Sequence, residues 1–398
     1  MPPPPNTCHV LHVITDLSSG GAQRMLTHVV SAAPAAGAPR HHVVSLTDDG
    51  VYGAVLRRTG VPVTCLTLRG LAGMPRALLA LTRIIRRERP DIVQTWLYHA
   101  DFLGLVATCF VRPRPPVVWN VRCSDMDLHA YAWTTRVLVR LLAHLSRRPA
   151  AVMVNSIAGQ RWHDRLGYRP RRWLVCPNGF PTDRLRPDAA VRARRRADLG
   201  LPEATVVFVC AARVDPMKDH GNLLAAFDRV RKRLPCARLM LLGQGTKADT
   251  GSLEPLAADP DLAAGVLRFG ETTDGYAEIL QAADVFVLPS AFGEGFPNVL
   301  GEAMCLELPC VATDVGDAAA IVGETGRIVP PRAPDALAWA MIELAELGGS
   351  DRRTLGRAAR ERILATYDLD SVRQRYARLY RRLSRIGQPD GAALPRAR

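Results

Sequence analysis

Two glutamates eight residues apart, Glu294 and Glu302, bracket a short segment that also carries Gly295, Phe296, Pro297 and Asn298. It follows an apolar run at 285–289 that reads as a buried strand. Gly293 and Gly295 let a backbone approach a ligand closely. Pro297 is placed to open a helix at its first position. The free N–H groups of such a helix start suit a diphosphate. The flanking carboxylates can accept hydrogen bonds from hydroxyl groups. The segment therefore suits a ligand with an anionic part and a polyhydroxylated part. The competing reading is a helix with an acidic first turn, which the macrodipole favours by itself.

Three further clusters follow apolar runs. After the run 206–211 come Arg213 and Lys218, two cations suited to a leaving diphosphate whose charge grows as a bond breaks. After the first run, Gly20 and Gly21 form a glycine-rich turn that opens a helix and suits phosphate or acceptor approach. His99 stands just after the run 92–95, at a strand end where a histidine can meet a ligand. Each has a plainer alternative: a surface turn, an ordinary loop, a structural histidine. Gly243-Gln244-Gly245 is a lone G-x-G, and Asn178-Gly179 reads first as a turn. No metal site and no cofactor is expected.

The elements that must position these residues are apolar runs, each followed by a helical stretch. They lie at 10–15, 42–46, 63–68, 92–95, 117–120, 152–155 and 173–176, then at 206–211, 238–242, 285–289 and 310–313, with 327–329 weaker. Continuous apolar runs are strands buried on both faces, as in parallel sheets. Their alternation with helices gives βαβ units and doubly wound α/β sheets. The length of 398 residues suits two Rossmann-like domains facing across a cleft. The expected division is 1–185, a linker at 186–200, 201–368, a helix at 369–386 crossing back to the first domain, and a disordered tail at 387–398.

Composition bounds the class. Nine cysteines, none in a C-x-x-C pair, argue against a disulfide framework or zinc site and favour a cytoplasmic protein. The start carries no signal-peptide pattern, and the longest apolar run, 102–111, is far short of a membrane span and reads as a buried helix. Charge is uneven, +16 over residues 1–200 and −2 over the rest. A basic half points to an anionic surface or a phosphorylated acceptor. One candidate stripe is Arg136, Arg140 and His144, with Arg147 and Arg148 beyond and an apolar face of Leu138, Leu141, Leu142 and Leu145. A second sets Arg83, Arg86 and Arg87 beside Leu81, Ile84 and Ile85. Both apolar faces could instead pack on the sheet.

Together the clusters resemble the retaining glycosyltransferases of family 4, which have the GT-B fold, over nearly the whole chain. The resemblance is most specific at 283–304. It implies that Glu294 contacts the transferred sugar and Glu302 the ribose. It implies that Arg213 and Lys218 bind the diphosphate, that Gly20 and Gly21 lie near the β-phosphate, and that His99 lies beside the sugar. Asn178-Gly179 resembles an interdomain segment, and Gly316-Asp317 a loop after a late strand. Asp219 departs from the pattern, since glycine is common there. The implied reaction is transfer of a hexose-type sugar from a nucleotide-sugar donor, a UDP-sugar in first place, to a hydroxyl acceptor. The acceptor expected is a lipid-linked or cell-surface polysaccharide precursor, with peripheral contact with an anionic membrane at the inner face and no nucleic acid. The alternatives are a sugar-nucleotide epimerase and a non-catalytic nucleotide-sugar-binding protein on the same fold.

Overall fold

The computed structural model describes residues 7–31, 38–122, 124, 132–248, 251–272 and 275–386. The chain divides into two compact units, one of Met1–Gly179 with Asp370–Arg398 and one of Phe180–Leu369. Each is built on a single parallel sheet, as its continuous apolar strands require.

The first unit contains β1 (His9–Ile14), β2 (Arg40–Ser45), β3 (Val63–Cys65), β4 (Ile92–Trp96), β5 (Val117–Val121), β6 (Ala151–Val154) and β7 (Trp173–Val175), in the order β3-β2-β1-β4-β5-β6-β7. The second contains β8 (Val207–Ala211), β9 (Arg238–Leu242), β10 (Val266–Gly270), β11 (Val285–Leu288), β12 (Cys310–Thr313) and β13 (Gly326–Val329), in the order β10-β9-β8-β11-β12-β13. β10 was not read from the sequence. It is a half-buried edge strand with Arg268 at its middle, so it lacks the unbroken apolar run that marks its neighbours.

Both sheets reverse their direction of winding once, between β1 and β4 in the first and between β8 and β11 in the second. Ligands of open parallel sheets bind beyond the carboxyl ends of the strands at this reversal, where the loops diverge.

Several basic stretches have structural employment. The arginine run at 192–196 forms the helix Ala189–Asp198, capped by the Asp188 side chain. This helix is tied to the second unit. Arg196 is buried and bonds the carbonyls of Ala282 and Thr205, while Arg192 pairs with Asp284 at 2.7 Å. In the first unit, Leu81, Ile84 and Ile85 of the helix Met74–Glu88 are buried, and Arg83, Arg86 and Arg87 are exposed. The helix Trp133–Leu145 differs from expectation. Leu142 faces the core with Val139, Leu138 and Leu145 are half-buried, and Trp133, Val137 and Leu141 face outward with Arg140 and His144. The core claims one side of that helix, and the outward apolar stripe runs through positions four apart.

The last helix, Leu369–Ile386, is fastened to the first unit by polar contacts. The Tyr376 hydroxyl accepts from Arg122 at 2.8 Å and from Asn120 at 3.1 Å, and the Tyr376 ring stacks on Trp96. The Tyr380 hydroxyl donates to the Gln94 carbonyl oxygen. The chain enters and leaves the second unit side by side, with Phe180 N–H bonded to the Tyr367 carbonyl at 2.9 Å and Leu369 N–H to that of Phe180 at 3.0 Å. The tail at 387–398 lies outside the described residues.

Candidate functional site

The candidate site residues follow the strands at the two winding reversals, whereas Asn178-Gly179 follow β7, Gly243-Gln244-Gly245 follow β9 and Gly316-Asp317 follow β12. In the second unit, the loop after β8 carries Arg213 and then a single 3-10 turn, Pro216–Lys218. The Asp215 side chain caps that turn by accepting from Met217 N–H at 2.9 Å. The loop after β11 carries Glu294 and ends in the helix Asn298–Cys305. A bond from Ala291 N–H to the Met217 carbonyl, 2.8 Å, ties the two loops together.

At this junction the Lys218 ammonium pairs directly with the Glu294 carboxylate. Ser290 Oγ donates to the same carboxylate oxygen at 2.6 Å. Both charged side chains are largely buried, 14% exposed for Lys218 and 8% for Glu294. An ion pair so desolvated persists only with good geometry and added hydrogen bonds, which Ser290 and the loop-to-loop bond supply. Arg213 is not part of it: its side chain is 56% exposed and bonds Asp215 at 3.2 Å.

Asp219 takes the left-handed conformation, φ 45° and ψ 55°. Glycine adopts this region freely, and aspartate is among the few residues that tolerate it. Its side chain also caps the helix His220–Arg233, accepting from Asn222 N–H at 3.2 Å. The departure at this position thus keeps the loop geometry and adds a cap. Behind the loop, His220 is fully buried, and burial, with Lys218 adding repulsion, pushes its pKa down to about 4.

The glutamate segment is braced from below. Gly316 sits at φ 66° so close beneath Glu294 that any side chain would strike the Glu294 carbonyl, and Asp317 N–H bonds the Gly295 carbonyl at 2.9 Å. Pro297 is the residue before the helix rather than its first residue, so its extended ψ of 99° sets the entry angle and Asn298 opens the helix. The Phe296 ring turns into the core, stacked near Phe180 and edge-on to Tyr367. Gly301 lets that helix lie directly on the Phe180 ring. Glu302 is buried, 5% exposed, two turns behind the loop.

In the first unit, Gly20 and Gly21 follow β1 and His99 follows β4, at the corresponding reversal. Gly20 is extended, φ −176°, and stands before the helix Gly21–Val30. That conformation is open to any residue, so its backbone there does not require glycine. Beside it, Gln23 donates to Asp16 at 2.8 Å. His99 is the second residue of the helix Tyr98–Cys109, half-buried, with its pKa lowered by burial. Leu97, just before it, holds φ 71° and ψ 159°, a conformation that costs a branched side chain energy and that clusters at functional sites. Asp101 beneath is fully buried, accepts from the Thr95 hydroxyl, and is pushed up to about 8 by desolvation.

Two participants escaped sequence reading. Ser290 is an unremarked serine at a strand end, and only its 2.6 Å bond shows that it holds Glu294. Arg122 joins Asn178 to Tyr376, residues far apart in the chain. Among the described residues, no group of three or more His, Cys, Asp and Glu is placed to hold a metal, and no helix is long and apolar enough to cross a membrane.

Residues 19–184 match the family model for Glycosyltransferase Family 4, and residues 203–346 match that for Glycosyl transferases group 1. Over 354 residues the chain is 34% identical to a GDP-mannose-dependent alpha-(1-6)-phosphatidylinositol monomannoside mannosyltransferase of Mycobacterium tuberculosis, covering 85% of this chain and 87% of that one. It is 26% identical, over 67% of each chain, to a UDP-Gal:alpha-D-GlcNAc-diphosphoundecaprenol alpha-1,3-galactosyltransferase of Escherichia coli. The fold superposes on the crystal structure of Anabaena HepE in complex with UDP with a TM-score of 0.80 at 21% identity, covering 93% of this chain and 99% of that one.

Proposed function

This chain belongs to glycosyltransferase family 4 and is an enzyme that transfers a glycosyl group, and from that premise we propose that it moves a hexose from a nucleotide-diphosphate donor to a hydroxyl on a lipid-linked acceptor with retained anomeric configuration. The observation that carries the reading is the buried Lys218–Glu294 pair, held by Ser290, at the winding reversal of the second unit. It sets a cation for the diphosphate beside a carboxylate for the sugar hydroxyls.

In the proposed reaction the bond from the anomeric carbon to the β-phosphate oxygen breaks. The acceptor oxygen bonds that carbon from the same face. A diphosphate oxygen takes the acceptor proton. Lys218, Arg213 and the first N–H groups of the helix Asn298–Cys305 stabilise the charge that grows on the leaving group. Glu294 accepts bonds from the sugar, Glu302 from the ribose, and Gly20, Gly21 and His99 serve the phosphate and sugar from the first unit. Glu294 as covalent nucleophile is the less favoured route, because its Oε1 is already occupied by the bonds it accepts from Lys218 and Ser290. The protein's own cations suffice for the leaving group, so the reaction needs no divalent metal.

The donor proposed is GDP-mannose, ahead of the UDP-sugar expected from the sequence, because the mannosyltransferase relative is the more similar of the two compared. A UDP-sugar is the second reading, supported by the galactosyltransferase. Both relatives are named for lipid-linked acceptors, which supports the acceptor class. The outward stripe of Trp133, Val137 and Leu141 with Arg140 supports peripheral contact with an anionic membrane from the cytoplasmic side.

A thermal-shift titration with nucleotides and nucleotide sugars tests the donor, since a bound ligand raises the melting temperature by mass action. Stabilisation by GDP and GDP-mannose is expected. Stabilisation by UDP alone would select the second reading, and none by any nucleotide would reject the donor assignment. NMR of the product linkage then tests retention, and activity in EDTA tests the metal-free mechanism.

A further inference from the structure

We propose that the first unit carries a phosphate-binding site of its own, in a pocket between β7 and the helix Leu369–Ile386, sharing no residue with the strand-end sets. The pocket has a volume of about 240 Å³ and is lined by Arg172, Arg375, Arg378 and Arg382. No residue lining it is acidic.

The four cations come from two segments of the chain. Arg375, Arg378 and Arg382 are spaced three and four apart, which puts them on one stripe of the helix. Arg172 precedes β7, the outermost strand of its sheet, and forms part of the opposite wall. Leu174 and Leu379 supply apolar surface between them. The guanidinium groups of Arg172, Arg378 and Arg382 have no ion-pair partner among the described residues. In the second unit several arginines are matched by carboxylates: Arg192 with Asp284, Arg195 with Glu278, Arg229 with Asp335, Arg233 with Glu346.

Like charges gathered around one concavity repel, and the concavity focuses their field. An anion from outside removes the repulsion. Guanidinium forks match the oxygens of a phosphate and can bind it bidentately, which a scattered surface charge cannot do. The volume is below the range of whole-ligand pockets, so it suits a phosphate group with a small part of what it esterifies. Burial pushes the Cys176 thiol in the same wall up to about 11, so it stands neutral among the cations. The ligand class is therefore a phosphate ester or diphosphate, from a lipid headgroup or a soluble molecule.

The test is calorimetric titration of the full chain with inorganic pyrophosphate. Three proteins are compared: wild type, the triple variant Arg172→Gln/Arg378→Gln/Arg382→Gln, and Lys218→Ala. Wild type should bind at two independent sites. The triple variant should lose one of them by about tenfold or more in affinity, with nucleotide-sugar turnover and melting temperature unchanged. Lys218→Ala should keep the event that the triple variant loses, which separates this site from the donor site. A triple variant that titrates like wild type overturns the proposal, as does a wild type whose only binding event disappears in Lys218→Ala. Co-sedimentation with phosphatidylcholine vesicles, with and without phosphatidic acid, identifies the source. If the triple variant loses both pyrophosphate and acidic vesicles, a lipid headgroup reaches the pocket. If it loses pyrophosphate alone, the occupant is soluble.

Discussion

The two units repeat one plan, a parallel sheet wound both ways from its middle, yet they use polar residues in opposite places. In the second unit β8, β11 and β12 are fully buried and almost wholly apolar, and the buried ion pair Lys218–Glu294 stands in the loops beyond them. In the first unit polar groups enter the sheet itself. His12, Gln94, Thr95 and Asn120 are buried on β1, β4 and β5, and His12 bonds His41 and Trp96. Nine of the ten histidines belong to this unit, and His220 alone belongs to the other. The difference teaches that the same backbone can keep its charge for the strand ends or spend polar groups inside to fasten another element. In the first unit that element is the helix Leu369–Ile386, held through Gln94, Asn120 and Arg122.

Breaking the ion pair should show the largest effect. Lys218→Ala is expected to cost about 2–4 kcal/mol of transition-state stabilisation, measured as kcat/KM. It should also destabilise the second unit by about 3 kcal/mol, because Glu294 stays buried without its cation. His99→Ala in the first unit should cost less, about tenfold in kcat, with no change in melting temperature. An equal loss for both variants would erase the contrast between the units.

Acid should act on the first unit before the second. Burial lowers His41 and His163 to about 4 and holds His12 well below its ordinary value. Groups depressed in this way contribute stability that is present above their ordinary value near 6.5 and lost as pH falls through about 4. For fully buried His163 that is about 3 kcal/mol. The second unit has only His220, likewise near 4. Hydrogen exchange followed from neutral pH downward should show β1, β2 and β4 losing protection before β8 and β11. Simultaneous loss would refute the difference.

Asp101 works in the other direction and sharpens the comparison. Its pKa is raised to about 8 by burial, so its contribution is present in full below the usual carboxylate range and is lost as pH rises through about 8. Asp101→Asn cannot titrate, so its melting temperature should gain on wild type with rising pH. Parallel melting curves across that window would count against a protonated Asp101.

The smallest effect is expected at Asp219. Asp219→Gly keeps the left-handed turn and loses a cap, a change within about 1 kcal/mol. Asp219→Val should destabilise more, since a β-branched residue resists positive φ. Chemical denaturation of both variants orders them.

Much of this was legible in one dimension. Twelve apolar runs marked twelve strands, because burial on both faces of a parallel sheet leaves an unbroken apolar signature. β10 lacked it, because Arg268 interrupts its short half-buried run. The loops after β1, β4, β8 and β11 drew notice for their glycines, cations and carboxylates before their shared position at the winding reversals was known. Other readings needed distances. The stretch 186–200 read as a linker, yet its Arg192, Arg195 and Arg196 answer carboxylates some 80 to 90 residues later. The leucines of the helix Trp133–Leu145 looked like one face, but the core takes Leu142 and leaves Leu141 outside.

The sequence by itself determined that the chain builds two doubly wound parallel sheets, and which residue types stand at their strand ends. Burial and chain reversal act locally, and each leaves its mark within a few residues. Only the tertiary structure decided that Lys218 pairs with Glu294 while Arg213 stays exposed, that Ser290 holds the carboxylate, and that Arg172 before β7 and three arginines of the last helix line one pocket. Those facts join residues tens to hundreds of positions apart. Which charges meet depends on where the winding of each sheet brings its loops and helices, and no local pattern carries that information.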